Sequence, residues 1–142
     1  MNLLTYFIVK DMAASVSFYR AFFEREPGGG QPERFAVFNV ENTGLALYNL
    51  AYDDKLIDSG ADLDKHFNSA YLANKETSII YGTNVVLNFT VTDLAAEYER
   101  VLKLNIGKVS EIMYVNIAMP YWFFWLNDPD GNCLEITGDY KP

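Results

Sequence analysis

The chain has 142 residues, of which 50% are hydrophobic and 15% aromatic, enough apolar material for one folded domain with a real core rather than a disordered segment. Its 11 Lys plus Arg against 19 Asp plus Glu give a net charge of −8, which argues against nucleic acid and anionic membrane surfaces as partners. A single cysteine, Cys133, rules out an internal disulfide, no apolar run approaches a membrane span, and no leader pattern opens the chain, so the cytoplasm is the expected compartment.

Taken in order, Leu3 to Val9 reads as a strand and Met12 to Glu24 as a helix, with Asp11 as its N-cap. Met12, Val16, Tyr19, Phe22 and Phe23 recur at helical spacing and form one apolar face. Gly28-Gly29-Gly30-Gln31-Pro32 lacks the residues of a phosphate loop and reads as a flexible connector. Phe35–Val40 and Gly44–Leu50 are two strands joined by the turn at Glu41-Asn42-Thr43-Gly44. The acidic stretch from Ala51 to Ser78 connects the two halves, with Leu63, Phe67, Ala70 and Tyr71 on one face of a short helix. The only histidine, His66, lies there and reads as a solvated side chain.

Val85–Val91 is the next strand, Asp93 caps a helix over Leu94–Lys103, and Asn105-Ile106-Gly107 ends it with glycine at the C-terminal position. Val109–Ile117 reads as a strand. Five consecutive aromatics, Tyr121 to Trp125, then form a strand that Asp128-Pro129-Asp130-Gly131 reverses into Cys133–Thr137. Alternation places Cys133, Glu135 and Thr137 on one face of that last strand, so a carboxylate stands in an apolar run. Such a group needs a partner or a task.

Two segments repeat. Phe7-Ile8-Val9-Lys10-Asp11-Met12-Ala13-Ala14 matches Phe89-Thr90-Val91-Thr92-Asp93-Leu94-Ala95-Ala96, and Leu45-Ala46-Leu47 stands where Leu134-Glu135-Ile136 stands. The fold class is therefore α+β: two βαβββ modules forming a cupped mixed sheet. The first module covers 1–50, a connector covers 51–80 and the second module covers 81–142, all in a single domain. The duplicated unit, together with Ser15-x-x-Phe18-Tyr19 and Asp128-Pro129-Asp130-Gly131-Asn132-x-Leu134-Glu135-Ile136, resembles the vicinal oxygen chelate superfamily of glyoxalase, bleomycin-resistance and extradiol dioxygenase proteins. The resemblance covers the chain apart from the connector, and it implies a homodimer.

The resemblance also implies where a divalent ion would be held in metal-using members: at Leu4, Ala46, Val86 and Glu135. Only Glu135 carries a donor, and a transition metal needs three or four converging ligands. No metal and no cofactor are expected. If Glu135 faces the pocket, alternation brings Tyr6, Tyr48, Asn88 and Thr90 to the same side, with Cys133 beside it as a small, unactivated thiol. Parity through the turn is open, and we lean to Trp122 and Phe124 facing the pocket. These residues describe a small-molecule site for an aromatic or cationic ligand, sequestered without metal as in the bleomycin-resistance, antibiotic-resistance-like branch. The alternative is a glyoxalase-like lyase or isomerase that uses Glu135 as base or a rearranged metal site. A third reading is a vestigial cleft in a protein that works through dimer contacts.

Overall fold

A computed structural model of the chain describes residues 4–75, 78–81 and 84–142. Leu3, Glu76 and Thr77, which the sequence assigns to the first strand and the end of the connector, lie outside the described residues. The chain divides into two compact units. One runs to Val16 and resumes over Arg25–Ile80; the other takes Ser17–Glu24 and Tyr81–Pro142.

The first unit holds β1 (Thr5–Ile8), the start of α1 (Met12–Phe23), β2 (Gly28–Gln31), β3 (Phe35–Val40), β4 (Thr43–Tyr48), α2 (Leu50–Ser59), α3 (Leu63–His66) and α4 (Ser69–Asn74). Its four strands lie in the order β1-β4-β3-β2, with β1 parallel to β4 and the others antiparallel. The triple glycine is thus a strand and not a flexible connector: Gly28 pairs with Val37 and Gln31 with Phe35. Gly29, at φ +114 and with the Phe35 carbonyl 3.0 Å from where a Cβ would stand, is the place where only glycine fits. Strand β4 stops at Tyr48 because Asn49 accepts a hydrogen bond from Tyr52 N and caps α2. The predicted helix through Leu63 and Tyr71 is broken at Phe67, whose extended backbone separates α3 from α4.

The second unit holds β5 (Val86–Val91), α5 (Leu94–Leu104), β6 (Met113–Asn116), β7 (Pro120–Asn127) and β8 (Cys133–Gly138), in the order β5-β8-β7-β6. This is the topology of the first sheet repeated, again with one parallel pair. The repeated aspartates act alike: Asp11 Oδ1 accepts from Ala14 N and Asp93 Oδ1 from Ala96 N, each at 2.9 Å. Strand β6 is shorter than predicted, because Val109 makes only an isolated bridge to Leu126. The left-handed residue ending α5 is Asn105, not Gly107. Gly107 serves another need, since a Cβ there would stand 2.3 Å from the Asn127 carbonyl oxygen.

Each sheet has a closed face and an open one. In the first, Ala36, Phe38, Leu45 and Leu47 are buried, while Tyr6 on the other face is 53% exposed. In the second, Phe124, Leu126, Leu134 and Ile136 are buried, and Tyr98 of α5 packs edge-on against Phe124 at 5.1 Å. Phe22 and Phe23 from the end of α1 pack on Phe89, at 5.5 and 5.7 Å. Arg100 fastens that helix end, donating to the Phe22 carbonyl at 2.9 Å while its guanidinium grips Glu97. Among the described residues no helix is long and apolar enough to cross a membrane.

Candidate functional site

The open face of the second sheet is organised by the β7–β8 hairpin. Its loop is closed by Asp128, a buried carboxylate that accepts four hydrogen bonds. Asp130 N and Asn132 N reach Oδ1 at 2.9 and 2.8 Å; Asn132 Nδ2 and the Tyr19 hydroxyl reach Oδ2 at 2.8 and 2.9 Å. Burial, and then the adjoining carboxylate, push the Tyr19 hydroxyl far above the ordinary tyrosine range, so it remains a donor.

This loop fixes the parity that the sequence leaves open. Asn127 pairs with Cys133 and Trp125 with Glu135. Directly opposed residues share a face, so Tyr121, Phe123 and Trp125 stand with Glu135. The expected orientation is therefore reversed for Phe124, whereas Trp122 still lines the cavity beside Glu135. Phe124 is fully buried under α5, where its bulk fills the closed face. Trp122 borders the cavity described below, but its ring packs on Tyr114 and Tyr140, each at 5.0 Å.

Glu135 is held from both sides. Asn88 Nδ2 donates to Oε1 at 2.9 Å and Trp125 Nε1 donates to Oε2 at 3.1 Å. Both donors follow from register, since Asn88 and Trp125 flank Glu135 on the neighbouring strands. Thr90 pairs in the same way with Thr137, their hydroxyls 3.3 Å apart. Tyr121, Phe123 and Trp125 run down this face with ring centres 5.4 and 5.6 Å apart. A cavity of about 520 Å³ opens here, lined by Asn88, Thr90, Tyr121, Glu135 and Tyr140 among others, and among the described residues no Lys, Arg or His lines it. Cys133 shares the face without lining the cavity; burial and then Glu135 raise its thiol, which keeps it protonated and unreactive.

The first unit has a larger cavity, of about 680 Å³, on its own open face. Tyr6 and Tyr48, expected in one pocket with Glu135, line this cavity, and most of its polar wall comes from the connector: Asp53, Asp64, Lys65, His66, Asn68 and Tyr71. Sequence reasoning missed Arg34, Asp53 and Tyr71, and took His66 as merely solvated. The one available signal was the helix beginning at Asn49, whose first turn carries Asp53 back toward Tyr48.

A metal does not fit the residues that the superfamily pattern designates. Leu4, Ala46 and Val86 offer no donor atom, and among the described residues no group of three His, Cys, Asp or Glu side chains could hold an ion.

No protein-family model matches the chain, and neither does any curated protein. Solved structures do. A glyoxalase-related enzyme from Fulvimarina pelagi aligns with a TM-score of 0.64 at 16% identity, over 98% of this chain and 88% of that one. A glyoxalase/bleomycin resistance protein from Catenulispora acidiphila aligns with a TM-score of 0.59 at 16% identity, over 99% of both chains. A lactoylglutathione lyase from Agrobacterium tumefaciens aligns with a TM-score of 0.63 at 18% identity, over 97% of this chain and 92% of that one. Likeness at these identities establishes the architecture and leaves the chemistry to the residues.

Proposed function

From a chain with the two-module fold of the vicinal oxygen chelate superfamily, we propose a metal-independent small-molecule binding protein that sequesters a flat, cationic ligand at Glu135. The observation that carries this is the state of the carboxylate. Both oxygens are oriented by neutral donors, and among the described residues no cationic side chain lines the cavity beside it. An oriented carboxylate next to exposed aromatic surface attracts a cation, and Trp125, a residue 42% exposed whose indole N–H holds Glu135, supplies stacking surface beside the cavity. A charge of −8 adds long-range attraction.

Titration with ethidium, read by fluorescence and calorimetry, tests the proposal. Glu135→Gln is expected to weaken binding about tenfold, and Trp125→Leu by a similar factor. Equal binding by wild type and Glu135→Gln, or no binding of any planar cation in a panel, would overturn it.

The second reading, catalysis with Glu135 as base, is favoured by the enzyme names of two structural neighbours. It requires a group that stabilises developing negative charge, and the cavity supplies no cationic side chain for that task. Turnover of lactoylglutathione by the wild type that is lost in Glu135→Gln would shift the assignment to this reading. We also propose a homodimer, supported by the exposed Tyr114, Ile117 and Met119 around β6. Light scattering at micromolar concentration checks it, and a monomer rejects it.

A further inference from the structure

We infer that the cavity of the first unit, lined by residues of that unit alone, is a further binding site, built to take a planar aromatic monocarboxylate on Arg34. The argument starts from Asp53, which is 2% exposed and lies in the wall of the cavity. Asp53 is neutralised there by two partners. The Tyr48 hydroxyl donates to Oδ2, and Arg34 Nε lies 2.7 Å from Oδ1. Tyr48 has one proton and gives it to Asp53, so Tyr71 is the donor in the 3.1 Å contact between the two hydroxyls. The Arg34 charge thereby offsets that of the buried carboxylate, although Asp53 Oδ1 itself accepts no hydrogen bond.

What the cavity still offers is the outer edge of the arginine. Its Nε side is ion-paired with Asp53, and its guanidinium carbon sits 5.9 Å from the Tyr52 ring centre and 5.6 Å from that of Phe67. Those contacts hold the planar group in one orientation before any ligand arrives. Arg34 lines the cavity, and its Nη1 lies 3.5 Å from Nδ1 of His66, another lining residue. Two parallel N–H donors in a fixed plane match a carboxylate and not a single-point acceptor. Asn68 uses its side-chain oxygen to accept from Tyr71 N, which leaves its amide N–H groups as further donors in the same wall.

The remaining wall is aromatic. The Phe67 and Tyr71 rings stack at 5.0 Å and 10°. Tyr6, Phe35 and Tyr48 form an edge-on cluster with centres 5.9 to 6.4 Å apart. A flat ring fits such surfaces, and the volume of about 680 Å³ admits a bicyclic ligand. With Asp53 offsetting part of the arginine charge, a monoanion is matched better than a dianion.

The test is a calorimetric titration with 1-naphthoate, its neutral amide and 1-naphthylmethylamine. Naphthoate is expected to bind at least about tenfold more tightly than either analogue. Arg34→Gln is expected to erase that preference. Because this change also unpairs a buried carboxylate, a second variant guards the result. His66→Glu sets an anion beside the same guanidinium edge from an exposed position, leaves Asp53 paired, and should weaken naphthoate about tenfold. Equal binding of the three compounds, or naphthoate binding that survives His66→Glu unchanged, overturns the inference. The ethidium titration concerns other residues in the other unit, so either proposal can fail while the other stands.

Discussion

The two half-sheets share a strand order, a parallel pair and an aspartate-capped helix, yet they place their polar groups by different means. In the second unit the polar network is part of the sheet: Asn88, Glu135 and Trp125 meet because strand register sets them side by side. In the first unit the equivalent last-strand position is Ala46, and the network is imported from the connector through Asp53, His66 and Tyr71. Duplication kept the backbone because closed-face packing demands it. The open faces were free to diverge, and they carry different charged groups. One presents a carboxylate held by neutral donors, the other a guanidinium paired with a buried aspartate.

The contrast is sharpest in the two buried aspartates. Asp128→Ala should be the most damaging single change, because it strands a buried hydroxyl and two turn amides; about 3 kcal/mol of stability should be lost in chemical denaturation. Asp53→Ala should cost less, about 2 kcal/mol, because the Arg34 it releases is partly exposed and can be rehydrated. A larger loss for Asp53→Ala than for Asp128→Ala would break the comparison, since it would make the connector network and not the hairpin loop the main polar support.

Alkaline pH separates the two tyrosines next. Tyr19 and Tyr48 both have hydroxyls raised above the ordinary value, in each case by burial first and then by an aspartate. A raised folded-state value means that the protonated form is favoured by folding. Its contribution is intact below about pH 10, where unfolded tyrosine starts to ionise, and declines above it. Stability measured from pH 8 to 11 should therefore fall at the alkaline end. Tyr19→Phe and Tyr48→Phe should each flatten that fall, and an unchanged slope in both would contradict the assignment. The smallest effect on stability belongs to Glu135→Gln. Its carboxylate sits on an open face between two neutral donors, so the variant should melt within about 0.5 kcal/mol of wild type while ligand binding changes. A large loss of stability would make Glu135 a structural group.

The overall plan was legible from local pattern. The Phe-x-Val-x-Asp repeat, the apolar helix faces and the Asp-Pro-Asp-Gly turn are short-range signals, and they predict two βαβββ modules, which the fold contains. Alternation along each strand put Tyr6, Tyr48, Asn88 and Thr90 in one pocket with Glu135; Asn88 and Thr90 line the cavity beside Glu135, whereas Tyr6 and Tyr48 line that of the first unit. What failed was whatever depended on a second element. The face of the aromatic strand turned on how many residues the Asp128 loop consumes, and the leaning toward Phe124 fell with it. The triple glycine became a strand only because β3 offered it an edge.

Taken alone, then, the sequence determined the modules, the capped helices and the identity of the one carboxylate on the last strand, since each follows from spacing between near neighbours. The tertiary structure decided which donors hold that carboxylate, and it brought Arg34, Asp53, Tyr48 and Tyr71 into one network. The physical reason is that hydrogen bonds and ion pairs depend on ångström-scale proximity between segments distant in sequence, a relation that no local periodicity encodes.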